Sequence, residues 1–254
     1  MTKFVSIVSG KGGVGKTTTA INLGAALSLF GKEIIVVDGN TATPNIGLQL
    51  GVSKSQFSIH DALKGEKTLR DAICTHSSGL KFIPGSISLE KAKEVDTQLL
   101  HKVILDLYGL ADIILIDAAA GIGKEAVSAI KSSDDVIIVT NPEIPAITDA
   151  LKIAKVAKEN GATIYGVIVT KISEKTDISS ENISALLDAP VIAEIPEDSY
   201  IKKALSMKQP VVFSHPEAKS SIAYKKLAAQ MLGQTYSPQI KKESFIKRLF
   251  LKSN

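Results

Sequence analysis

Nine residues near the start of the chain have the types and spacing to handle a phosphate. Gly10-Lys11-Gly12-Gly13-Val14-Gly15-Lys16-Thr17-Thr18 fits the pattern G-x-x-x-x-G-K-[ST]. The glycines let successive backbone N–H groups wrap the oxygens of a triphosphate. Lys16 is placed to reach the β- and γ-phosphates, and the Thr17 hydroxyl to reach Mg²⁺. A helix beginning at the loop adds the positive end of its dipole. Lys11 is a second lysine that the pattern does not require. The stretch predicts a nucleoside triphosphate site running from Gly10 to Thr18.

Two acids complete it. Ile34-Ile35-Val36-Val37 runs into Asp38, and Ile113-Ile114-Leu115-Ile116 runs into Asp117. In parallel α/β sheets ligands gather at the carboxyl ends of strands, so both carboxylates belong near Mg²⁺, directly or through water. Thr17, Asp38 and Asp117 are the predicted metal-side residues. Ala118-Ala119-Ala120-Gly121 then makes a D-x-x-x-G turn whose Gly121 N–H is expected to sense the γ-phosphate. Thr170-Lys171-Ile172-Ser173 begins like a guanine-reading [NT]-K-x-D motif but ends in serine. Serine lacks the paired acceptors that guanine's N1–H and amino group need, which favours ATP over GTP.

The elements that must position these residues are legible as well. Seven apolar, β-branched runs lie near Phe4–Ser9, Glu33–Asp38, Leu80–Pro84, Asp112–Asp117, Asp135–Thr140, Ile164–Thr170 and Val191–Ile195, with helical patterns between them. Near-continuous Val and Ile argue for strands buried on both faces. The expected fold is α/β: one doubly wound, mostly parallel sheet of about seven or eight strands flanked by helices. Residues 18–27 read as an amphipathic helix behind the loop. The 254 residues contain no repeat and no Pro-, Gly- or Ser-rich divider, so residues 1–233 are expected to form one ATPase domain and 234–254 a linker and tail.

The single cysteine, Cys74, reads as a small buried hydrophobe in a reducing cytoplasm, and it removes any C-x-x-C metal or redox site. His60, His76, His101 and His215 lack ligand spacing and read as structural or surface residues. No run approaches the ~20 apolar residues of a membrane span, and no signal-peptide pattern opens the chain.

The net charge of +4 sits entirely in the tail. From Lys241 onward there are five basic residues against Glu243 alone, leaving 25 basic and 25 acidic residues elsewhere. At roughly 100° per residue, Phe245, Ile246, Leu249 and Phe250 share one arc, while Lys247 and Arg248 fall outside it. Such a helix suits the interface of an anionic membrane. The alternatives are a last helix docked on the body or a basic nucleic-acid-binding tail, for which the apolar face has no use; no specific nucleic acid is expected.

On these residues the chain resembles the MinD/ParA family of deviant Walker A ATPases, and within it the archaeal MinD-like proteins. The resemblance spans the Lys11-bearing loop, Asp38 with Pro44-Asn45-Ile46-Gly47-Leu48, Asp117 to Gly121, Asn141-Pro142-Glu143, Ile195-Pro196-Glu197-Asp198 and Phe245–Phe250. It implies a monomer that dimerises face to face over two ATP molecules, with Lys11 reaching the partner's phosphates. It implies an adenine pocket near Thr170, Pro196, Glu197 and Asp198, although the family usually carries Asn where Thr170 stands. It also implies a catalytic set of Lys11, Lys16, Asp38 and the residue at position 40.

That last position departs from the family's D-x-D. This chain has Asp38-Gly39-Asn40, and asparagine can orient water but cannot take its proton. The expectation is therefore a slow ATPase with ATP/ADP and Mg²⁺ as ligands. It would be cytoplasmic and peripheral at the inner face of the cell membrane, switching there with an unidentified activator or cargo and positioning cell division or other machinery. A DNA-binding partition ATPase and a nucleotide-sensing scaffold are the competing readings; iron–sulfur relatives need more cysteines than Cys74. Asp149 is expected at a helix start, facing a partner or capping the helix.

Overall fold

A computed structural model describes residues 1–52, 55–88, 95–174, 176 and 178–238. Along the chain run β1 (Lys3–Ser9), α1 (Lys16–Leu29), β2 (Ile34–Gly39), α2 (Ile46–Gln49), α3 (Ile59–Leu63), β3 (Cys74–Thr75), β4 (Lys81–Ile83) and α4 (Leu100–Val103). They are followed by β5 (Ile113–Ala120), α5 (Lys124–Lys131), β6 (Asp135–Thr140), α6 (Ile144–Glu159), β7 (Thr163–Ile172), α7 (Ser180–Leu187), β8 (Val191–Pro196), α8 (Ser199–Ser206), α9 (Val211–Ser214) and α10 (Lys219–Met231).

The strands form one sheet in the order β3-β4-β2-β5-β1-β6-β7-β8. Every pairing is parallel except β3 with β4. All seven apolar runs are strands. The eighth, β3, is a two-residue edge strand with too little periodicity to read, and it leaves Cys74 only half-buried. Burial pushes the Cys74 thiol upward.

Alternate residues feed two cores, as period-2 strands buried on both faces require. Val8, Val37, Ile116 and Val169 face one layer with α3 to α7; Ile7, Val36, Leu115 and Ile168 face the other with α1 and α8 to α10. Strand register then places the chemistry. Asp38 of β2 lies beside Asp117 of β5, and Ile7 of β1 beside Asp117 on its other side.

The helix after the loop differs from expectation. Almost every residue of α1 from Thr19 to Leu27 is buried, because α9 and α10 pack over its outer face. An amphipathic stripe is not needed where both sides are covered. At Gly24 a Cβ would stand 2.7 Å from Val36 Cγ2, so only glycine lets α1 lie this close to β2. Beyond residue 233 the chain stays on the body at least to Tyr236, whose ring meets Phe30 edge-on at 6.0 Å. The predicted membrane residues, Phe245 to Phe250, lie outside the described residues.

Candidate functional site

The loop between β1 and α1 is held open from behind. Gly13 and Gly15 take φ of 79° and 95°, the left-handed region that a side chain disfavours. The Thr170 hydroxyl donates to Val14 O at 2.5 Å, and Lys171 Nζ donates to Gly13 O at 2.8 Å. Two successive loop carbonyls are thereby tied to the end of β7. Gly10 touches α6 so closely that a Cβ there would be 2.0 Å from Asp149 O. The first turn of α1 itself holds no acid, and its dipole favours an anion at the loop.

Lys16 and Thr17 share one partner. Lys16 Nζ is 2.6 Å from Asp117 Oδ1, and the Thr17 hydroxyl donates to Asp117 Oδ2 at 2.5 Å. Lys16 is 7% exposed and Asp117 fully buried, so the pair is sealed from water. Asp38, also fully buried, accepts from the backbone N–H groups of Asn45 (2.8 Å) and Ile46 (2.9 Å), which starts α2. Burial pushes the Asp38 carboxyl up to about 7, and the charge of Asp117 adds to this; the two N–H groups and Lys16 oppose it. Two buried carboxylates thus face one buried ammonium. That excess of negative charge, with a threonine hydroxyl beside it, is the hard-oxygen donor set that suits Mg²⁺.

In front of this cluster lies a cavity of about 550 Å³, bordered by Lys11 to Gly13, Gly15 to Thr18, Asn40, Thr43, Gln49 and Glu125 among others. Lys11 is exposed and makes no ion pair among the described residues. A second hollow of about 120 Å³ is bordered by Thr170, Pro196, Glu197, Asp198 and Tyr224. Gly15 and Thr18 border both spaces. A larger polar space therefore leads around the tip of α1 into a smaller hollow.

A family model described as ParA, NUBPL iron-transfer P-loop NTPase, matches residues 1–232. The chain belongs to this family. It is 40% identical to an uncharacterised ATP-binding protein of Methanocaldococcus jannaschii, over 96% of this chain and 94% of that protein. Among solved structures it resembles the septum site-determining protein MinD of Pyrococcus horikoshii, complexed with Mg-ADP, with a TM-score of 0.87 and 39% identity over 91% of this chain and 96% of that one. It also resembles the Pyrococcus furiosus cell division ATPase MinD, with a TM-score of 0.88 and 36% identity over 92% and 99% of the two chains.

In this ParA-family chain the expectations for Gly121 and Asp149 need correction, while Thr170, Asp198 and Asn40 border the spaces just described and make further bonds. The Gly121 N–H donates to Ser9 O at 2.9 Å, closing β5 onto β1, so Ala119 and Ala120 border the cavity instead. Asp198 borders the second hollow, but Oδ1 accepts from Tyr200 N–H and Oδ2 from the Ser220 N–H and hydroxyl, so its carboxylate ties helices together. Thr170 reaches the loop as well as the hollow. Asp149 neither begins nor caps α6, whose N-cap is Glu143; it pairs with Lys152 at 2.9 Å. Asn40 is on the cavity wall, where its amide donates to Thr43 O (2.7 Å) and Oγ1 (2.9 Å).

Four residues escaped sequence reasoning. Lys171 belongs to a motif read for bases rather than for the loop. Tyr224, a wall of the second hollow, bonds Thr19 at 3.2 Å, and its burial pushes the phenol up to about 12. Gln49 and Glu125 come from short or ordinary helices with no motif of their own. Buried His60 does structural work: Ser86 N–H donates to its Nδ1, leaving Nε2–H to donate to Thr41 O at 2.9 Å.

Proposed function

We propose that the chain is an ATP-dependent, dimerising switch whose paired tails bind membrane and whose hydrolysis of ATP is slow. The cluster of Lys16, Thr17 and Asp117, with Lys11 exposed at the cavity rim, carries this reading. A lysine already occupies the phosphate position inside the chain. The second one faces outward without an ion pair among the described residues, which fits a role on another copy's phosphates.

When triphosphate arrives, Lys16 exchanges Asp117 for the β- and γ-phosphates, and the loop N–H groups take the remaining oxygens. Mg²⁺, held by Thr17 with Asp117 and Asp38 directly or through water, would supply neutralising charge to the phosphates. Lys11 from each copy adds a cation to the other's site, so ATP favours the dimer. Asn40 orients the attacking water but cannot itself take its proton, which makes turnover slower than with a carboxylate at that position.

The tails convert dimerisation into location. Burying four large apolar side chains gives at most roughly 6–12 kcal/mol, and ordering about nine residues costs on the order of 10 kcal/mol. One tail is marginal; two on one particle bind far more tightly through effective concentration. No helix among the described residues is long and apolar enough to cross a membrane. The chain's likeness to a septum site-determining protein and to a cell division ATPase supports cell division as the process served.

Sedimentation with anionic liposomes tests the switch. The full chain should pellet with Mg-ATP and far less with Mg-ADP, and a chain ending before Lys241 should pellet with neither. Equal pelleting of the full chain in both nucleotides would sink it.

A further inference from the structure

The residue that usually brings a proton acceptor after β2 is here Asn40, yet a carboxylate still faces the phosphate cavity. Glu125, in the first turn of α5, is the only acid among the described residues that border that cavity. Asp38 and Asp117 lie behind it, bonded to backbone N–H groups, Lys16 and Thr17. Glu125 is also fixed in place. Its Oε1 accepts from the hydroxyl of Thr41, the residue next to Asn40. Thr41 is 3% exposed and is held through its carbonyl by His60 Nε2–H, and the His60 tautomer is set by Ser86 N–H. Among the described residues Oε2 has no hydrogen-bond partner.

We propose that Glu125 is the proton acceptor for ATP hydrolysis, a carboxylate relocated from the end of β2 to the start of α5. This rests on the ATPase reading above. Asn40 and Glu125 divide what one aspartate elsewhere does: Asn40 orients the water through its amide, and Glu125 takes the proton. As the water oxygen bonds to the γ-phosphorus, its proton passes to Glu125 Oε2. The bond from the γ-phosphorus to the β–γ bridging oxygen breaks, its electron pair leaves on ADP, and the proton is later released with phosphate. A first-turn acid is also welcome at any helix start, but that role needs neither the cavity nor the Thr41 bond.

Single-turnover hydrolysis of Mg-ATP by the full-length chain, with ATP affinity measured alongside, decides the matter. Glu125→Gln keeps the side-chain length and an acceptor for Thr41 but cannot take a proton. It should slow hydrolysis by about 10²-fold, the low end for general base catalysis, while ATP affinity stays within about twofold. Adding Asn40→Asp to Glu125→Gln should restore turnover, a rescue that a purely structural Glu125 would not show. Wild-type rates in Glu125→Gln, a loss matched by lost ATP binding, or a double variant as slow as the single one would each overturn the assignment. A wild-type chain that binds ATP without hydrolysing it would overturn the ATPase reading together with it.

Discussion

Asp38 and Asp117 lie toward the carboxyl ends of neighbouring strands, sit side by side in register and are both fully buried, yet they are satisfied in opposite ways. Asp117 is bonded to two side chains, Lys16 and Thr17, which both belong to the loop that meets phosphate. Asp38 is bonded to backbone, the N–H groups that begin α2. Side-chain partners can leave when a ligand offers better ones; backbone partners leave only if the chain refolds. Asp117 is thus the responsive carboxylate, and Asp38 the one that builds the wall while contributing charge. Identical residues in register differ because Asp38 is met by the turn after its own strand and Asp117 by the start of the helix after β1.

The sharpest way to break this comparison is at Asp117. Replacing Asp117 with Asn leaves Lys16 buried without its ion-pair partner, and removing one member of a buried pair costs about 3–5 kcal/mol. Urea denaturation of the nucleotide-free chain should show a loss of about 3 kcal/mol, and Mg²⁺ should no longer improve ATP affinity. A loss under about 1 kcal/mol would mean that Lys16 is held by something other than Asp117.

Asp38→Asn should act with the opposite sign. Burial and the neighbouring Asp117 charge raise the Asp38 carboxyl from 3.8 to about 7. Between those values the folded chain binds more protons than the unfolded one, so stability falls as pH rises from about 4 to about 7 and stays low above it. An asparagine keeps an acceptor for α2 and has no charge to bury. The variant should lose this pH slope and be at least as stable as wild type at pH 8, measured as the urea midpoint without nucleotide. An unchanged slope would show that Asp38 is ionised in the folded chain throughout. Mg-ATP affinity should fall nonetheless, since a cation-side charge is gone.

The strands, the α/β class and the phosphate loop were legible because their signals are local: apolar runs, glycines at fixed spacing, an acid near a strand's end; the order of the strands in the sheet was not. Partnerships across the fold were not. Nothing near Gly121 says that its N–H is taken by Ser9, and nothing near Asp198 says that Ser220, 22 residues on, takes its second oxygen. Glu125 looks like any helix-start acid until strand order brings α5 against the loop after β2. Burial of α1 was misread because α9 and α10, which cover it, come from the far end of the chain.

Asp198 extends the comparison to a third acid, just past the end of β8, and gives the smallest effect. Its Oδ1 accepts from Tyr200 N–H and caps α8, and its Oδ2 accepts from Ser220 N–H and Oγ at the start of α10. Partial burial would raise its carboxyl, but the bonds from Ser220 and Tyr200 and the nearby Lys219 outweigh it and hold the group below its ordinary value. Its contribution to stability is therefore complete above about pH 4 and is lost as pH falls through the depressed folded value. Asp198→Ala should cost about 1 kcal/mol, the usual worth of a cap, at pH 7 and progressively less in acid. Because both oxygens are already occupied, ATP affinity should change less than about threefold, an effect under 1 kcal/mol. A larger loss of affinity, with stability unchanged, would show that the Asp198 helix contacts yield to a nucleotide.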